Sequence, residues 1–352
     1  MSGIQCEICG GQIEMQSGGS KGICVQCGIT YSADRVRELY SGKRTPVTSG
    51  GNAAYTEFDI RDGVLVKYNG RKEKVVVPYG VKIIGELAFY ENGYVTEVVL
   101  PETVSRIDRA AFQWTKSLKI INLTDKIKTI GNEAFKWSAL ENITIPPISV
   151  LGEDVFYGCE SLVSVEFSDG VREIGKNAFA GCVNLSNVLL PNTLETIEAQ
   201  AFCGCNNLTS ANLTKNIKYI GEEAFAWCGL ECVKIMSKEV FIGDNAFRNC
   251  DNLTSVNITG NIVFPEFPQN YKEAFLSCGN VIDVTCKESF VEKLFNKTEL
   301  ENMKRMKLNG KIYVPESLKI DRKRKGTCQY CGGPFKGVFS KVCSQCGTPK
   351  DY

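Results

Sequence analysis

Residues 171–190, VREIGKNAFAGCVNLSNVLL, contain a sequence motif that occurs nine times in the chain with a period of about 23 residues. Each copy holds an Ala-Phe or Val-Phe pair, which is usually preceded by Ile-Gly and followed by Cys and Leu. A regular period of this length predicts a stacked solenoid instead of a globule. The anchoring phenylalanines are Phe89, Phe112, Phe135, Phe156, Phe179, Phe202, Phe225, Phe247 and Phe275.

Each copy ends in a short strand with alternating inward and outward side chains. Val188 and Leu190 lie two residues apart and therefore share the inner face, whereas Asn187 and Leu189 point outward. Stacked strands would form a parallel sheet with a spacing of ~4.8 Å, so nine coils would make a rod or shallow arc roughly 40 Å long. The outward residues form two small, polar, nearly neutral columns: Glu97, Ile120, Asn142, Ser164, Asn187, Ser210, Cys232, Ser255 and Asp283, then Val99, Asn122, Thr144, Glu166, Leu189, Asn212, Lys234, Asn257 and Thr285.

A glycine stands four residues before the phenylalanine in six copies, where a turn with positive φ is expected. Asp108, Glu198 and Tyr271 replace it in the other copies, and Glu and Tyr tolerate that geometry poorly. The six glycines are Gly85, Gly131, Gly152, Gly175, Gly221 and Gly243.

The full motif, Val-x-x-Ile-Gly-x-x-Ala-Phe-x-x-Cys-x-x-Leu-x-x-Val-x-Leu-Pro, resembles the BspA-type leucine-rich repeat over roughly residues 75–286. The resemblance implies a right-handed repeat solenoid, mainly β with short helical turns, that binds proteins or surfaces. Members of that family are often secreted or surface-exposed. A surface or adhesion role is therefore one alternative, which the missing export signal disfavours.

The chain divides into six segments by composition. Turn dipeptides at Asp62-Gly63 and Asn69-Gly70 predict a hairpin ahead of the repeats, and an amphipathic pattern from Lys287 to Met306 predicts a helix after them. The predicted segments are a four-cysteine module at 1–31, a short helix and flexible linker at 32–54, a β-hairpin cap at 55–77, nine solenoid coils at 78–286, a capping helix and basic linker at 287–326, and a second four-cysteine module at 327–352.

Composition narrows the function classes. The 352 residues include no histidine, which removes Ser-His-Asp triads, Cys-His nucleophiles and His-ligated metal centres. Carboxylate and lysine catalysis remain open, but no paired-acid, phosphate-loop or nucleophile-elbow motif is present, so a non-enzymatic protein is expected. The first 30 residues lack a signal peptide and no run approaches ~18 apolar residues, so a cytoplasmic protein without a membrane segment is expected.

Eight of the 17 cysteines form four Cys-x-x-Cys pairs, two near each end of the chain. Two such pairs bring four thiolates into a tetrahedron, which is the geometry of a closed structural zinc site. Both modules resemble zinc ribbons, so two Zn ions are expected; iron is the main rival, although rubredoxin-type sites separate their pairs further. The predicted ligands are Cys6, Cys9, Cys24 and Cys27, and then Cys328, Cys331, Cys343 and Cys346.

Six further cysteines stand three residues after a repeat phenylalanine, a position that Asn92, Thr115 and Ser138 fill in the earlier copies. A lone interior thiol without a nearby base is usually inert, so packing is the expected role. Three more cysteines, Cys203, Cys232 and Cys286, fall elsewhere in the repeat, and packing is their expected role as well. The six are Cys159, Cys182, Cys205, Cys228, Cys250 and Cys278.

A protein partner is expected to bind the outward face of the sheet, because that face offers hydrogen bonds without the dense positive charge of a nucleic-acid groove. The alternative is a nucleic-acid-associated factor that uses the zinc ribbons and the basic residues 287–326. That segment holds twelve Lys or Arg against six Asp or Glu, including the run from Arg322 to Lys325. Aromatic residues that could stack on bases are sparse there.

Overall fold

The computed structural model describes residues 12–15, 21–25, 30–32, 36, 57–264, 273–296, 300, 306–315, 319–320, 322 and 324. Near the N-terminus, β1 (Ile13–Met15), β2 (Lys21–Cys24) and β3 (Thr30–Ser32) form an antiparallel sheet. The short helix and linker expected at 32–54 lie outside the described residues, except for Ser32, which ends β3, and for Val36, which is buried.

A solenoid with two parallel sheets makes up most of the described chain, as the repeat predicts. Each coil supplies one strand to sheet A, where the inner residues are apolar because the strand alternates across the core surface. The sheet A strands are β6 (Lys74–Val76), β8 (Glu97–Val99), β10 (Ile120–Ile121), β12 (Asn142–Ile145), β14 (Ser164–Phe167), β16 (Asn187–Leu189), β18 (Ser210–Leu213), β20 (Cys232–Ile235), β22 (Ser255–Ile258) and β24 (Asp283–Thr285).

Sheet B lies on the other side of the core and uses shorter strands. Its inner residue is the Ile or Leu that precedes the repeat glycine in most coils. The sheet B strands are β7 (Ile83–Ile84), β9 (Arg106–Ile107), β11 (Thr129–Ile130), β13 (Val150–Leu151), β15 (Glu173–Ile174), β17 (Thr196–Ile197), β19 (Tyr219–Ile220), β21 (Glu239–Ile242) and β23 (Asn261–Val263).

A hairpin closes the N-terminal end of sheet B. β4 (Phe58–Arg61) pairs antiparallel with β5 (Val64–Tyr68), and β5 pairs parallel with β7. Asp62 and Gly63 both have positive φ, 50° and 79°, as a two-residue hairpin turn requires. Asn69-Gly70 does not close a second hairpin, because the strand that follows it, β6, pairs parallel with β8. The solenoid therefore begins within the stretch 55–77.

The C-terminal end combines a short α-helix with a second hairpin. Helix α1 (Glu288–Leu294) buries Val291 and Leu294. After it, β25 (Lys307–Leu308) pairs parallel with β24 and antiparallel with β26 (Lys311–Ile312), which extends sheet A by two strands. The predicted helix is thus present over Glu288–Leu294, and residues 297–299 and 301–305 of the amphipathic pattern lie outside the described residues.

A ladder of aromatic rings runs through the core and into both ends. The repeat phenylalanines are fully buried, and successive ring centroids lie 4.7–5.4 Å apart. Tyr68 of the hairpin stacks on Phe89 at 5.2 Å, and Phe295 after α1 stacks on Phe275 at 5.1 Å. Offset stacking of this kind adds about 0.5–1.5 kcal/mol per pair beyond the burial of apolar area. The end structures therefore complete the core instead of merely covering it.

The repeat glycines do not have positive φ, so that expectation is wrong. They stand where the coils approach closely. A Cβ on Gly175 would lie 2.7 Å from the Leu151 carbonyl oxygen, and one on Gly221 would lie 2.5 Å from the Ala199 nitrogen. Tyr271, which breaks the glycine pattern, lies outside the described residues.

Positive φ occurs instead two residues before and two residues after the repeat phenylalanine, for example at Leu87 and Glu91. These two residues and Phe89 donate their N–H groups to carbonyls of the next coil, with Leu87 bonded to Arg109 O at 3.4 Å and Phe89 to Ala111 O at 2.7 Å. Because alternate N–H groups turn toward the neighbouring coil, each coil makes a chain of tight turns here instead of a continuous helix.

Candidate interaction surface

The outward residues of sheet A form a regular surface, and they lie where the sequence predicts. Val188 is buried whereas Asn187 and Leu189 are exposed, which confirms the predicted alternation. Of the two predicted outward columns, Val99 alone is buried; the others are exposed or half-buried. The side chains are mostly Asn, Ser and Thr, so the surface presents hydrogen-bonding groups with little net charge.

Two large apolar side chains interrupt this polar surface. Ile120 on β10 and Leu189 on β16 are each 60% exposed. Single exposed apolar residues are ordinary on protein surfaces. These two lie on opposite sides of the strands β12 and β14, which occupy the intervening positions in the stack. The apolar residues therefore flank a short polar section of sheet A.

A groove of about 360 Å³ lies in that polar section. Its position follows from Asn122, whose side-chain amide donates to Leu100 O at 3.0 Å while its side-chain oxygen accepts from Leu100 N at 2.6 Å. This clasp turns the residue toward the preceding coil, and β10 ends at Ile121. The hydrogen-bonded sheet is interrupted at this point, between β10 and β12, and again between β16 and β18. Residues around this sheet A groove include Ile121, Asn122, Asn142, Thr144, Ser164 and Glu166.

Glu166 is the one ionisable side chain that lines the groove. Two other carboxylates along the sheet are ion-paired: Glu97 lies 2.8 Å from the Lys74 ammonium, and Glu141 lies 3.0 Å from Lys119. Within the described part of the chain, Glu166 has no ion-pair partner within 4.0 Å. The groove therefore carries an unneutralised negative charge beside amide and hydroxyl groups.

The column of six thiols is buried, as the sequence predicts, and each thiol has the same role. Cys182 Sγ donates to Phe156 O at 3.2 Å, and Cys205 Sγ donates to Phe179 O at 3.3 Å, so the bond joins neighbouring coils. Burial raises the pKa of Cys159 to about 11 and also raises the pKa of Cys182, Cys205 and Cys228. These thiols are packed hydrogen-bond donors instead of nucleophiles.

Of the predicted metal ligands, Cys24 alone lies within the described residues. It is fully buried at the end of β2, next to a small core that includes Ile13 and Val36. No group of three or more metal-binding side chains occurs among the residues that the structure describes. The other seven predicted ligands, Cys6, Cys9, Cys27, Cys328, Cys331, Cys343 and Cys346, lie outside the described residues.

An aromatic edge is a feature that sequence reasoning missed. All three tryptophans, Trp114, Trp137 and Trp227, stand two residues after a repeat phenylalanine and have positive φ. The rings of Trp114 and Trp137 are 4.4 Å apart, and the Lys136 ammonium lies 5.0 Å from the Trp137 centroid and 2.5 Å from Asp154 Oδ2. The spacing of 23 residues between the first two would have located this edge.

Of the basic run that favours nucleic-acid binding, the structure describes Arg322 and Arg324, and Arg324 is exposed. Elsewhere in the same segment, basic side chains contact the solenoid: the Lys293 ammonium lies 4.5 Å from the centroid of Phe264, and Lys287 hydrogen-bonds to Asn261. Among the helices in the described ranges, none is long and apolar enough to cross a bilayer.

Comparison with solved structures gives leucine-rich repeat proteins. A leucine-rich repeat protein from Bacteroides ovatus is 29% identical, with a TM-score of 0.54 over 62% of this chain and 55% of that one. One from Eubacterium ventriosum is 23% identical, with a TM-score of 0.46 over 48% of this chain and 47% of that one. The chain thus spans about half the length of both. A leucine-rich repeat protein from T. pallidum is 29% identical, with a TM-score of 0.46 over 51% of this chain and 89% of that one.

No curated protein sequence matches the chain. The family model for the BspA type leucine rich repeat region matches in four overlapping stretches, 67–182, 128–254, 172–292 and 242–314, which together cover more than half of the chain. These stretches include both sheets and the complete phenylalanine ladder of the repeats. The chain therefore belongs to the BspA-type leucine-rich repeat family.

Proposed function

We propose that this protein is a non-enzymatic scaffold that binds a protein partner through the outward face of sheet A. The observation that carries the proposal is the face itself: ten strands present Asn, Ser and Thr side chains with two exposed apolar residues, Ile120 and Leu189. A non-obligate interface is about as polar as the rest of a protein surface, so the polarity of this face is compatible with protein binding. Cys159, whose pKa is raised by burial to about 11, is a poor nucleophile, in keeping with a non-enzymatic role.

Affinity capture from the native host with the full chain tests the proposal. The full chain is compared with Leu189→Arg on sheet A and with Thr129→Arg, a matched change of an exposed residue on sheet B. We expect one set of proteins to be recovered with the unmodified chain and with Thr129→Arg and to be lost with Leu189→Arg. Recovery that Thr129→Arg abolishes and Leu189→Arg leaves intact would contradict a role for sheet A.

The eight paired cysteines are proposed to bind two structural zinc ions, one near each end of the chain. Four thiolates match the donor preference of Zn²⁺ and fill its coordination shell, so the metal would stabilise the fold and would not catalyse a reaction. The buried position of Cys24 is compatible with a ligand that is shielded from solvent. Zinc would also supply the stability that such short modules cannot obtain from a hydrophobic core.

Elemental analysis of the purified full chain tests the metal proposal. We expect about two zinc atoms per chain. Cys328→Ser should lower the content to about one, whereas Cys232→Ser, on the sheet A face, should leave it unchanged. Iron in place of zinc would replace the proposed metal while retaining the ligands, and a protein free of both metals would remove the zinc-ribbon proposal.

A further inference from the structure

We propose that the sheet A groove binds a basic side chain of an extended partner segment, whose neighbouring apolar side chains cover Ile120 and Leu189. This inference rests on the proposed role of sheet A in protein binding and specifies the part of the surface and the chemistry of the ligand. The occupant is a polypeptide segment with arginine or lysine between two apolar residues.

The charge of the groove selects a cation. Glu166 is exposed and has no ion-pair partner in the described part of the chain, in contrast to the neutralised Glu97 and Glu141. Asn142, Thr144 and Ser164 around it add oxygen acceptors, and Ser164 Oγ already donates to Asn142 Oδ1 at 2.6 Å. An ammonium or guanidinium group placed here would gain charge-assisted hydrogen bonds to the carboxylate and further bonds to the neutral oxygens.

A bare metal ion fits the same groove less well. Calcium takes six to eight oxygen ligands, usually with several carboxylates, and magnesium requires near-octahedral oxygen coordination. The groove offers the one carboxylate of Glu166 and a small number of amide and hydroxyl oxygens. A side-chain cation needs far fewer ligands, because it carries its own donors and arrives on a chain that also makes apolar contacts.

The two apolar residues define how the segment lies. Leu189 is in register with Glu166 on the neighbouring strand, and Ile120 lies on β10, on the far side of β12. Three strand intervals of ~4.8 Å separate β10 from β16, and Ile120 stands one outward column, or ~7 Å, from Leu189, so the two residues are roughly 16 Å apart. Four steps of an extended chain, at ~3.4 Å each, cover roughly 14 Å, and the apolar side chains reach across the remaining distance. Residues i, i+2 and i+4 of a strand share one face, so the sequence pattern is apolar, basic, apolar at those positions.

The groove volume agrees with this occupant. About 360 Å³ accommodates one long side chain together with the adjacent backbone, and it is too small for a folded element. The interruption of sheet A between β10 and β12 keeps the space open, because the Asn122 side chain is held on Leu100 at 2.6 and 3.0 Å and does not fill it. Asn122 is therefore a positioning residue for the groove.

Selection of short random peptides displayed on phage, with the full chain as bait, tests the inference. We expect an enriched pattern with arginine or lysine two residues from an apolar residue on each side. A synthetic peptide of that pattern is then titrated against the unmodified chain, Glu166→Gln, Glu166→Lys and the control Glu153→Gln, which changes an exposed glutamate away from sheet A. Thermal melts of each variant establish that the fold is retained.

Glu166→Gln should weaken the peptide by roughly tenfold, as loss of a charge-assisted pair implies. Glu166→Lys should abolish binding, and exchange of the basic peptide residue for Glu should restore part of it. Glu153→Gln should change nothing. Enriched peptides without a basic residue, no enrichment, or affinity that Glu166→Lys leaves intact would each overturn the inference. Peptides that Leu189→Arg displaces but Glu166→Lys does not would overturn it while leaving the proposed function of sheet A in place.

Discussion

The first three coils and the six that follow share one core but place different hydrogen-bond donors three residues after the repeat phenylalanine. In the later coils, a cysteine thiol three residues after the phenylalanine donates to the phenylalanine carbonyl of the preceding coil, as Cys205 does to Phe179 at 3.3 Å. In the earlier coils the same position holds Asn92, Thr115 and Ser138. Thr115 Oγ1 donates at 2.7 Å to Phe112 O of its own coil, and Asn92 Nδ2 donates to Gly70 O at 3.1 Å.

This difference shows that the position requires a short hydrogen-bond donor and not sulfur as such. Ser138 marks the transition, since its hydroxyl lies 3.3 Å from Cys159 Sγ and Cys159 itself donates to Phe135 O. A thiol reaches across the interval between coils, whereas the threonine hydroxyl stays within its own turn. The later coils therefore share one thiol bond to the preceding coil, whereas the earlier coils fill this position with a different donor in each coil.

The largest effect is expected for removal of a ladder ring in either set of coils. Phe112→Ala and Phe179→Ala should each lower the free energy of unfolding by about 3–5 kcal/mol, because both rings are fully buried and stacked on two neighbours. Denaturant unfolding followed by circular dichroism measures the loss, with Phe→Leu at each site as the milder control. A loss below about 1 kcal/mol at one site only would show that the two sets of coils do not share one core.

A smaller effect is expected for the thiol bond itself. Cys205→Ala removes the donor to Phe179 O and leaves a small cavity, so it should lower the free energy of unfolding by about 1–2 kcal/mol. Cys205→Ser retains a donor and should lose less. Thr115→Val provides the comparison in the earlier coils. Equal losses for Cys205→Ala and Cys205→Ser in the same unfolding experiment would mean that the hydrogen bond contributes nothing.

A weaker, pH-dependent effect is expected on the exposed side of the later coils. Lys218, and next Arg172, lower the pKa of the Glu195 carboxyl, so its stabilising contribution is present above its unfolded pKa and is lost as the pH falls through the lowered pKa. Glu195→Gln should therefore melt slightly below the unmodified protein at neutral pH and level with it in acid. Thermal melts across that pH range check the difference, with Glu153→Gln as the unpaired control. A gap that persists in strong acid would contradict an ionic origin.

The six column thiols are expected to show almost no reaction with a thiol reagent while the protein is folded. Burial raises the pKa of Cys159 to about 11, so little thiolate forms near neutral pH, and the side chain is shielded as well. Alkylation followed by mass spectrometry should modify the half-buried Cys232 first and the six column thiols only after unfolding. Labelling of Cys182 or Cys205 at the rate of Cys232 would reveal local opening of the later coils.

The sequence predicts the interior well because the period specifies which residues face inward. The phenylalanine ladder, the Val188 and Leu189 alternation and the packed thiols all follow from spacing. The role of the repeat glycines does not follow from spacing, since a glycine can serve positive φ or close approach and the sequence does not distinguish the two. Gly221 is there for close approach.

The groove could not be predicted for a different reason. Asn122, Asn212 and Asn257 occupy the same column of sheet A, and nothing in their sequence context separates them. Of these three residues, Asn122 alone is held by its side chain on the preceding coil, through Leu100, and the groove lies beside it. Surface features that depend on one rotamer leave no periodic signal.

The phenylalanine ladder has a consequence for how such a chain can change length. Phe225 and Phe247 are 22 residues apart and Phe247 and Phe275 are 28 residues apart, yet the ring separations are 5.4 and 4.8 Å. The rise per coil is thus set by ring contact and is independent of how many residues the intervening loop contains. Segments can be inserted or removed at coil corners, and the next coil still starts at the same height. The solenoid can acquire new surface without any change in the stacking of its core residues.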